Sequence, residues 1–305
     1  MSNLHGDPEL PAWLREIYPF RSHFLDVGDA QFQSDSDAVP CRMHYVDEGE
    51  GRALLMLHGN PTWSFFYRQM VAALSANRRC VVPDHLGCGL SDKPQNYPYR
   101  LSDHIDNLEM LVNDLDLNQF DMVVHDWGGP IGLGVAEKMP DRVRRLVVLN
   151  TAAFRSRDMP FSIRIARLPG LGSILIRGCN AFVRGASRYG VCRPLSPEIT
   201  AGFAYPYRNW SDRIAVDRFV KDIPASPGHP SYDVLNKIEK GLGELAAKPT
   251  LIAWGMRDFV FTERFLGRWL ELLPNARVRR FQNAGHLLLE DAGDEILPLV
   301  KDFLS

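Results

Sequence analysis

The chain has 305 residues, 45% hydrophobic and 24% charged, with a formal net charge of −2 at pH 7. That is the makeup of an ordinary globular protein, with length for one large domain or one domain carrying an insertion. The balance gives no electrostatic case for nucleic acid, and no lysine and arginine cluster alternates with aromatics as a strand-binding groove requires. Residues 1–20 hold His, Asp, Glu and three prolines without an apolar stretch, and no later run approaches a membrane span, so a cytoplasmic location is expected. Five cysteines (Cys41, Cys80, Cys88, Cys179 and Cys192) form an odd set without CxxC spacing, and buried reduced thiols are expected.

In chain order, 22–27 and 41–46 read as antiparallel edge strands around a polar loop at 31–40. Apolar runs then recur at 53–57, 79–82, 120–124, 145–149, 250–254 and 277–281, separated by helix-period segments. This alternation predicts an α/β fold, a mostly parallel sheet of eight strands with helices on both faces. Between about 155 and 230 the alternation stops and helical pieces such as 161–168 and 211–220 remain. The expectation is a main domain over 1–154 and 231–305 with a helical cap over 155–230. From Arg155 through Arg218 there are 11 arginines, no lysine and four acids. Two readings account for that excess: arginines covering apolar cap surface and pairing with acids of the main domain, or a docking face for a second copy, a partner enzyme or an anionic surface. The segment 161–176, rich in Ile, Leu and Phe, reads as cap core or as the lining of a channel.

The chemistry-bearing motifs fall at strand ends. Leu57-His58-Gly59-Asn60-Pro61-Thr62-Trp63 is a strand end followed by a turn, where the Asn60 backbone N–H can point at a nucleophile. Asp84-His85-Leu86-Gly87-Cys88-Gly89 contains GxG without the third glycine or a phosphate-binding lysine, so it reads as a tight turn rather than a nucleotide site. His125-Asp126-Trp127-Gly128-Gly129 lies between a buried strand and a helix start, the setting of a nucleophile elbow, with Asp126 at the tip and Val124 where the elbow usually has its first glycine. Trp254-Gly255-Met256-Arg257-Asp258 puts an acid just past a strand, and Asn283-Ala284-Gly285-His286 puts a histidine after the last one. The order nucleophile, acid, histidine is what such a sheet needs to bring three side chains to one edge. The preceding strand ends in Asn150, a neutral amide that cannot stabilise an imidazolium by charge, so Asp258 is the expected acid. His58 and His125 read as hydrogen-bonded structural residues, and the spacing supports no metal site. The N–H groups of Asn60 and Trp127 would form an oxyanion hole, and their side chains are two neutral donors suited to a weakly basic, monovalent anion.

On these residues the chain resembles the haloalkane dehalogenase family of the α/β-hydrolase fold, over nearly its whole length beyond the first twenty residues. The resemblance implies Asp126 as nucleophile, His286 as base, Asp258 as acid, and Asn60 with Trp127 as the halide-stabilising pair. An acid after the seventh strand, with Asn in the halide pair, looks like the third subfamily, which also includes β-lactone decarboxylases of olefin biosynthesis. Asn150-Thr151-Ala152-Ala153-Phe154 and the stretch 87–94 look similar to those enzymes too. Epoxide hydrolases share the HDWGG elbow but need cap tyrosines, for which Tyr189, Tyr205 and Tyr207 are candidates; fluoroacetate dehalogenases expect Arg at position 127.

The implied activity is hydrolysis of a carbon–halogen bond to a primary alcohol and halide. Asp126 displaces the halide to form an alkyl ester, and His286 draws a proton from the water that cleaves it. The partners are a small apolar halogenated substrate, halide and water, with no cofactor. The alternative is decarboxylation of a long-chain β-lactone by the same residues, and a third reading, from another class, is a ligand receptor with little turnover.

Overall fold

The computed structural model describes residues 9–27 and 41–305. The first eight residues and the loop expected at 31–40 lie outside the described residues. Eight strands form one sheet: β1 (His23–Val27), β2 (Cys41–Glu48), β3 (Ala53–Leu57), β4 (Arg79–Pro83), β5 (Phe120–Val124), β6 (Val143–Val148), β7 (Thr250–Gly255) and β8 (Arg277–Phe281). Their order is β1-β2-β4-β3-β5-β6-β7-β8. The β1–β2 and β2–β4 pairs are antiparallel and the other neighbours are parallel. The sheet is therefore the predicted one, except that β2 lies one strand in from the edge that β1 forms.

Around it run α1 (Ala12–Ile17), α2 (Arg68–Leu74), α3 (Leu101–Asp114) and α4 (Gly128–Lys138). After β6 come α5 (Phe161–Ala166), α6 (Leu171–Ser173), α7 (Ala181–Tyr189), α8 (Pro197–Ala204) and α9 (Ile214–Lys221), and then α10 (Tyr232–Leu245), α11 (Glu263–Leu272) and α12 (Leu288–Leu304).

Every residue of β3, β5 and β7 is buried. Interior parallel strands covered on both faces have no polar side to show, which is why they read as apolar runs, broken in β5 only by the ion-paired Asp121. Alternate residues serve opposite cores: Leu55, Leu57, Met122 and Val124 pack into one cluster, Leu54, Met56, Val123 and Val147 into the other. β8, at the far edge, carries exposed Arg277, Arg279 and Arg280, charges that discourage another strand from pairing there.

One ion pair ties β5 into this core. Arg78 donates to Asp121 at 2.7 Å, with the Asp121 side chain fully buried, and also donates to the Leu304 carbonyl at the end of α12. Removing the arginine leaves a carboxylate stranded beside a strand that carries the candidate nucleophile. Arg78→Leu is expected to cost about 3–5 kcal/mol of stability, read as a lowered midpoint in urea unfolding.

Helices α5–α9 build a separate cluster around Ile163, Ile176, Val183, Tyr207, Val216 and Val220. The segment 161–176 is thus only half core. Phe161, Leu168, Leu171 and Ile174 are 76%, 46%, 47% and 56% exposed, so they neither fill the core nor line a channel.

The arginines here bond mostly to backbone carbonyls rather than to acids of the sheet domain: Arg167 to Val220 and Ile223, Arg213 to Tyr207, Arg177 and Arg208. Arg155 with Glu239 is the exception that follows the expected pattern. The cysteines are free as expected, but Cys179 and Cys192 are exposed, since neither falls on a strand or an inward helix face.

Candidate active site

In this sheet β3 has β4 on one side and β5 on the other, so the chain changes direction between β3 and β5 and opens a crevice at their carboxyl ends. Asn60 follows β3 and Asp126 follows β5. Asp126 has φ +48°, in the left-handed region that costs an ordinary side chain energy. It is pinned there: its N–H donates to the Asn150 carbonyl at 2.9 Å, and its carbonyl accepts the Gly129 N–H at 2.9 Å and the Thr151 hydroxyl. Two glycines let the turn close. A Cβ at Gly59 would fall 2.1 Å from Asp126 Oδ1, and one at Gly128 the same distance from the Leu57 carbonyl oxygen. Val124, at the other usual glycine position, is simply the buried last residue of β5.

The two oxygens of Asp126 have different surroundings. Oδ1 accepts the Asn60 backbone N–H at 2.6 Å, and the Trp127 backbone N–H also donates to the carboxylate. Oδ2 faces His286 Nε2 at 3.9 Å. On the far side of that ring, Nδ1 pairs with Asp258 Oδ2 at 2.9 Å, and Asp258 Oδ1 takes the Val260 N–H at 2.7 Å. The structure therefore gathers Asn60, Asp126, Trp127, Asp258 and His286 at one edge of the sheet. Asn60, Asp126, Asp258 and His286 are each at most 7% exposed, so little of the reacting surface meets bulk water.

Burial raises the carboxyl of Asp126, and His286 with the two backbone N–H groups partly offsets that. Burial pulls His286 down, but Asp258 and then Asp126 more than compensate, leaving the imidazole above its ordinary 6.5. A histidine held up in this way stays protonated to higher pH. In an ¹⁵N-histidine NMR titration the ring is expected to change protonation above pH 6.5. In Asp258→Asn, where the principal raising charge is gone and burial dominates, the transition is expected to move below 6.5; an unmoved transition would show that Asp258 does not govern the ring.

His125 is pushed well below its ordinary value, chiefly by burial, and as a neutral ring it donates from Nε2 to the His286 carbonyl at 2.9 Å. His58 donates to the Gly59 carbonyl and accepts the His85 N–H, so both its ring nitrogens are used inside the fold, while the buried His125 Nδ1 has no partner among the described residues.

Some of the site was not readable from motifs. The Asn60 amide donates to the Val216 carbonyl of α9 at 3.2 Å, which leaves one of its two hydrogens for a ligand. Trp127 packs against Phe219 of the same helix, ring centroids 5.1 Å apart, and among the described residues nothing accepts its indole N–H. Asn150 exchanges two hydrogen bonds with Gly255, at 3.0 and 2.7 Å, fastening β6 to the strand that leads to Asp258. None of the three cap tyrosines bonds to a site residue: Tyr189 is 69% exposed, Tyr205 sits edge-on to Trp13, and Tyr207 donates to the Thr62 carbonyl.

The arrangement can hold a carboxylate nucleophile, a stabilised imidazole and two outward neutral donors around one reacting centre. Residues 52–175 and 200–293 match the family described as the alpha/beta hydrolase fold. A cis-3-alkyl-4-alkyloxetan-2-one decarboxylase of Shewanella oneidensis is 44% identical, over 96% of this chain and 91% of that protein. Haloalkane dehalogenase 2 of Mycobacterium bovis is 33% identical, over 92% and 94%. The crystal structure of haloalkane dehalogenase DbeA from Bradyrhizobium elkani superimposes with a TM-score of 0.80 at 25% identity, over 93% of this chain and 98% of that one. The chain belongs to the α/β-hydrolase family, in the branch that holds haloalkane dehalogenases and cis-3-alkyl-4-alkyloxetan-2-one decarboxylases.

Proposed function

We propose that this site decarboxylates a cis-3,4-dialkyl β-lactone to an alkene, in place of the carbon–halogen hydrolysis that the motifs first suggested. The observation that carries the reading is the 44% identity to an oxetan-2-one decarboxylase across nearly the whole chain, against 33% for a dehalogenase.

The same five residues serve the chemistry. Asp126 Oδ2 attacks the sp3 ring carbon C4 and the C4–O bond breaks, leaving an alkyl ester on Asp126 and a free carboxylate on C3. That carboxylate is a weakly basic monovalent anion, which the remaining Asn60 amide hydrogen and the Trp127 indole N–H suit as well as they suit halide. The C3–carboxylate bond then supplies the electron pair of the new double bond while the C4–Asp126 bond breaks. The products are carbon dioxide, alkene and the original carboxylate, with no water consumed and no change in oxidation state. Attack inverts C4 and leaves the two departing groups antiparallel without bond rotation, so a cis lactone yields a cis alkene. The low exposure of the reacting groups favours this route, because water would intercept the ester as a hydroxy acid. His286, protonated to higher pH than usual, offsets the charge returning to Asp126.

The second reading, halide displacement followed by His286-assisted hydrolysis, is supported by the neutral donor pair and the dehalogenase relatives. A parallel assay separates them: a cis-3-alkyl-4-alkyl β-lactone followed by carbon dioxide and cis alkene, and 1,2-dibromoethane followed by bromide. Rapid gas release with little bromide is expected, and no β-hydroxy acid should accumulate. Fast bromide release with intact lactone would reverse the assignment, and inertness toward both would favour a ligand receptor.

A further inference from the structure

The outer surface of α5–α7 matches no requirement of the reaction. In α5, Ile163 and Ala166 turn into the helical cluster, while Phe161, Arg164 and Ile165 recur at i, i+3 and i+4 on the opposite side, and exposed Leu168 follows in the turn after the helix. A short turn leads to α6 and the π turn Ile174–Gly178, where Gly172 and Ile176 are buried and Leu171 and Ile174 face out. Helix α7 buries Val183 in the same cluster and exposes Arg184 and Arg188. Large apolar side chains this exposed, one of them a phenylalanine at 76%, mark a surface that meets something else.

Charge says what that is. From 159 to 197 there is no acidic residue and there are six arginines, in a chain whose net charge is −2. Asp158, just before this stretch, is itself paired with Arg264. The side chains of Arg164 and Arg184 make no ion pair with any described residue. Two copies joined through this face would set arginine against arginine, which rules poorly for self-association. Exposed apolar side chains interspersed with arginines on neighbouring short helices are the pattern of a surface that rests in the headgroup layer of an anionic membrane. Among the described residues no helix is long and apolar enough to cross a membrane, so the contact is peripheral.

We propose that the α5–α7 face docks on anionic lipid bilayers, with Phe161, Leu168, Leu171 and Ile174 entering the interface and Arg164 and Arg184 meeting phosphate headgroups. The inference does not depend on which reaction the site performs.

The test is sedimentation of the full-length protein with extruded vesicles of phosphatidylglycerol and phosphatidylcholine in equal parts, or of phosphatidylcholine alone, at low and high salt. Binding to the anionic vesicles is expected, weakened by salt and at least fivefold weaker on the neutral ones. The double variant R164Q/R184Q is expected to bind about 25-fold more weakly, since each arginine near such a leaflet contributes about fivefold. The triple variant F161S/L168S/I174S is expected to lose binding even at low salt, with unchanged thermal melting and unchanged activity on soluble substrate. The proposal is overturned by equal failure to sediment with both vesicles. It is also overturned if the triple variant binds as well as the parent, or if its effect is a changed mass on gel filtration, which would make the face a contact between copies or with an acidic protein.

Discussion

Asp126→Asn is expected to abolish alkene formation, lowering the rate by roughly 10⁴-fold or more, the scale on which loss of a covalent nucleophile acts. Asparagine has nearly the same shape, tolerates φ near +48° and keeps an oxygen for the Asn60 N–H, so the fold and the site geometry should survive. What it loses is the negative oxygen that faces His286. Gas release and alkene by chromatography give the rate, and circular dichroism verifies the fold. Because an amide in this position could hydrolyse back to the acid, Asp126→Ala serves as the second variant. Undiminished product from the alanine protein would remove the covalent step from the scheme.

His286→Phe should divide the two candidate reactions. With 1,2-dibromoethane, displacement needs only Asp126, but cleavage of the ester needs water activated by a base, so the variant is expected to carry a persistent bromoethyl adduct visible in intact mass. With the β-lactone, fragmentation expels Asp126 without water, so turnover is expected to continue, about 10²-fold slower for want of the imidazolium, with no lasting adduct. A protein that instead accumulates one full lactone mass would show that the ester does not fragment unaided, and the proposed second step would be wrong.

Much of this architecture was legible because it rests on local rules. Fully buried interior strands are almost wholly apolar, which marks β3, β5 and β7 with the paired Asp121 as the exception, and an acid in the turn after such a strand has one place to go, the crevice edge. Asp126 and Asp258 follow from that logic, His286 from its place after the last strand, and Asn60 and Trp127 from their positions in the flanking turns. What stayed hidden depends on contacts between distant segments. Nothing near Asn60 announces that a carbonyl of Val216, 156 residues later, takes one of its hydrogens. Asn150 could be dismissed as an acid from its chemistry alone, but its pair of bonds to Gly255 appears only once β6 and β7 lie side by side. The same holds for the helices after β6: periodicity found them, yet the set of Phe161, Leu168 and Ile174 looks like core until one sees that Ile163 and Ile176 already fill it.

The bond between the Asn60 amide and Val216 has an evolutionary corollary. A group that would steady the departing anion is moored to α9, a helix between β6 and β7 that supplies no reacting atom. Drift in α9 of a few tenths of an ångström would re-aim that donor while leaving Asp126, Asp258 and His286 untouched. Descendants of one ancestor could thereby exchange one leaving anion for another without altering a single residue of the triad.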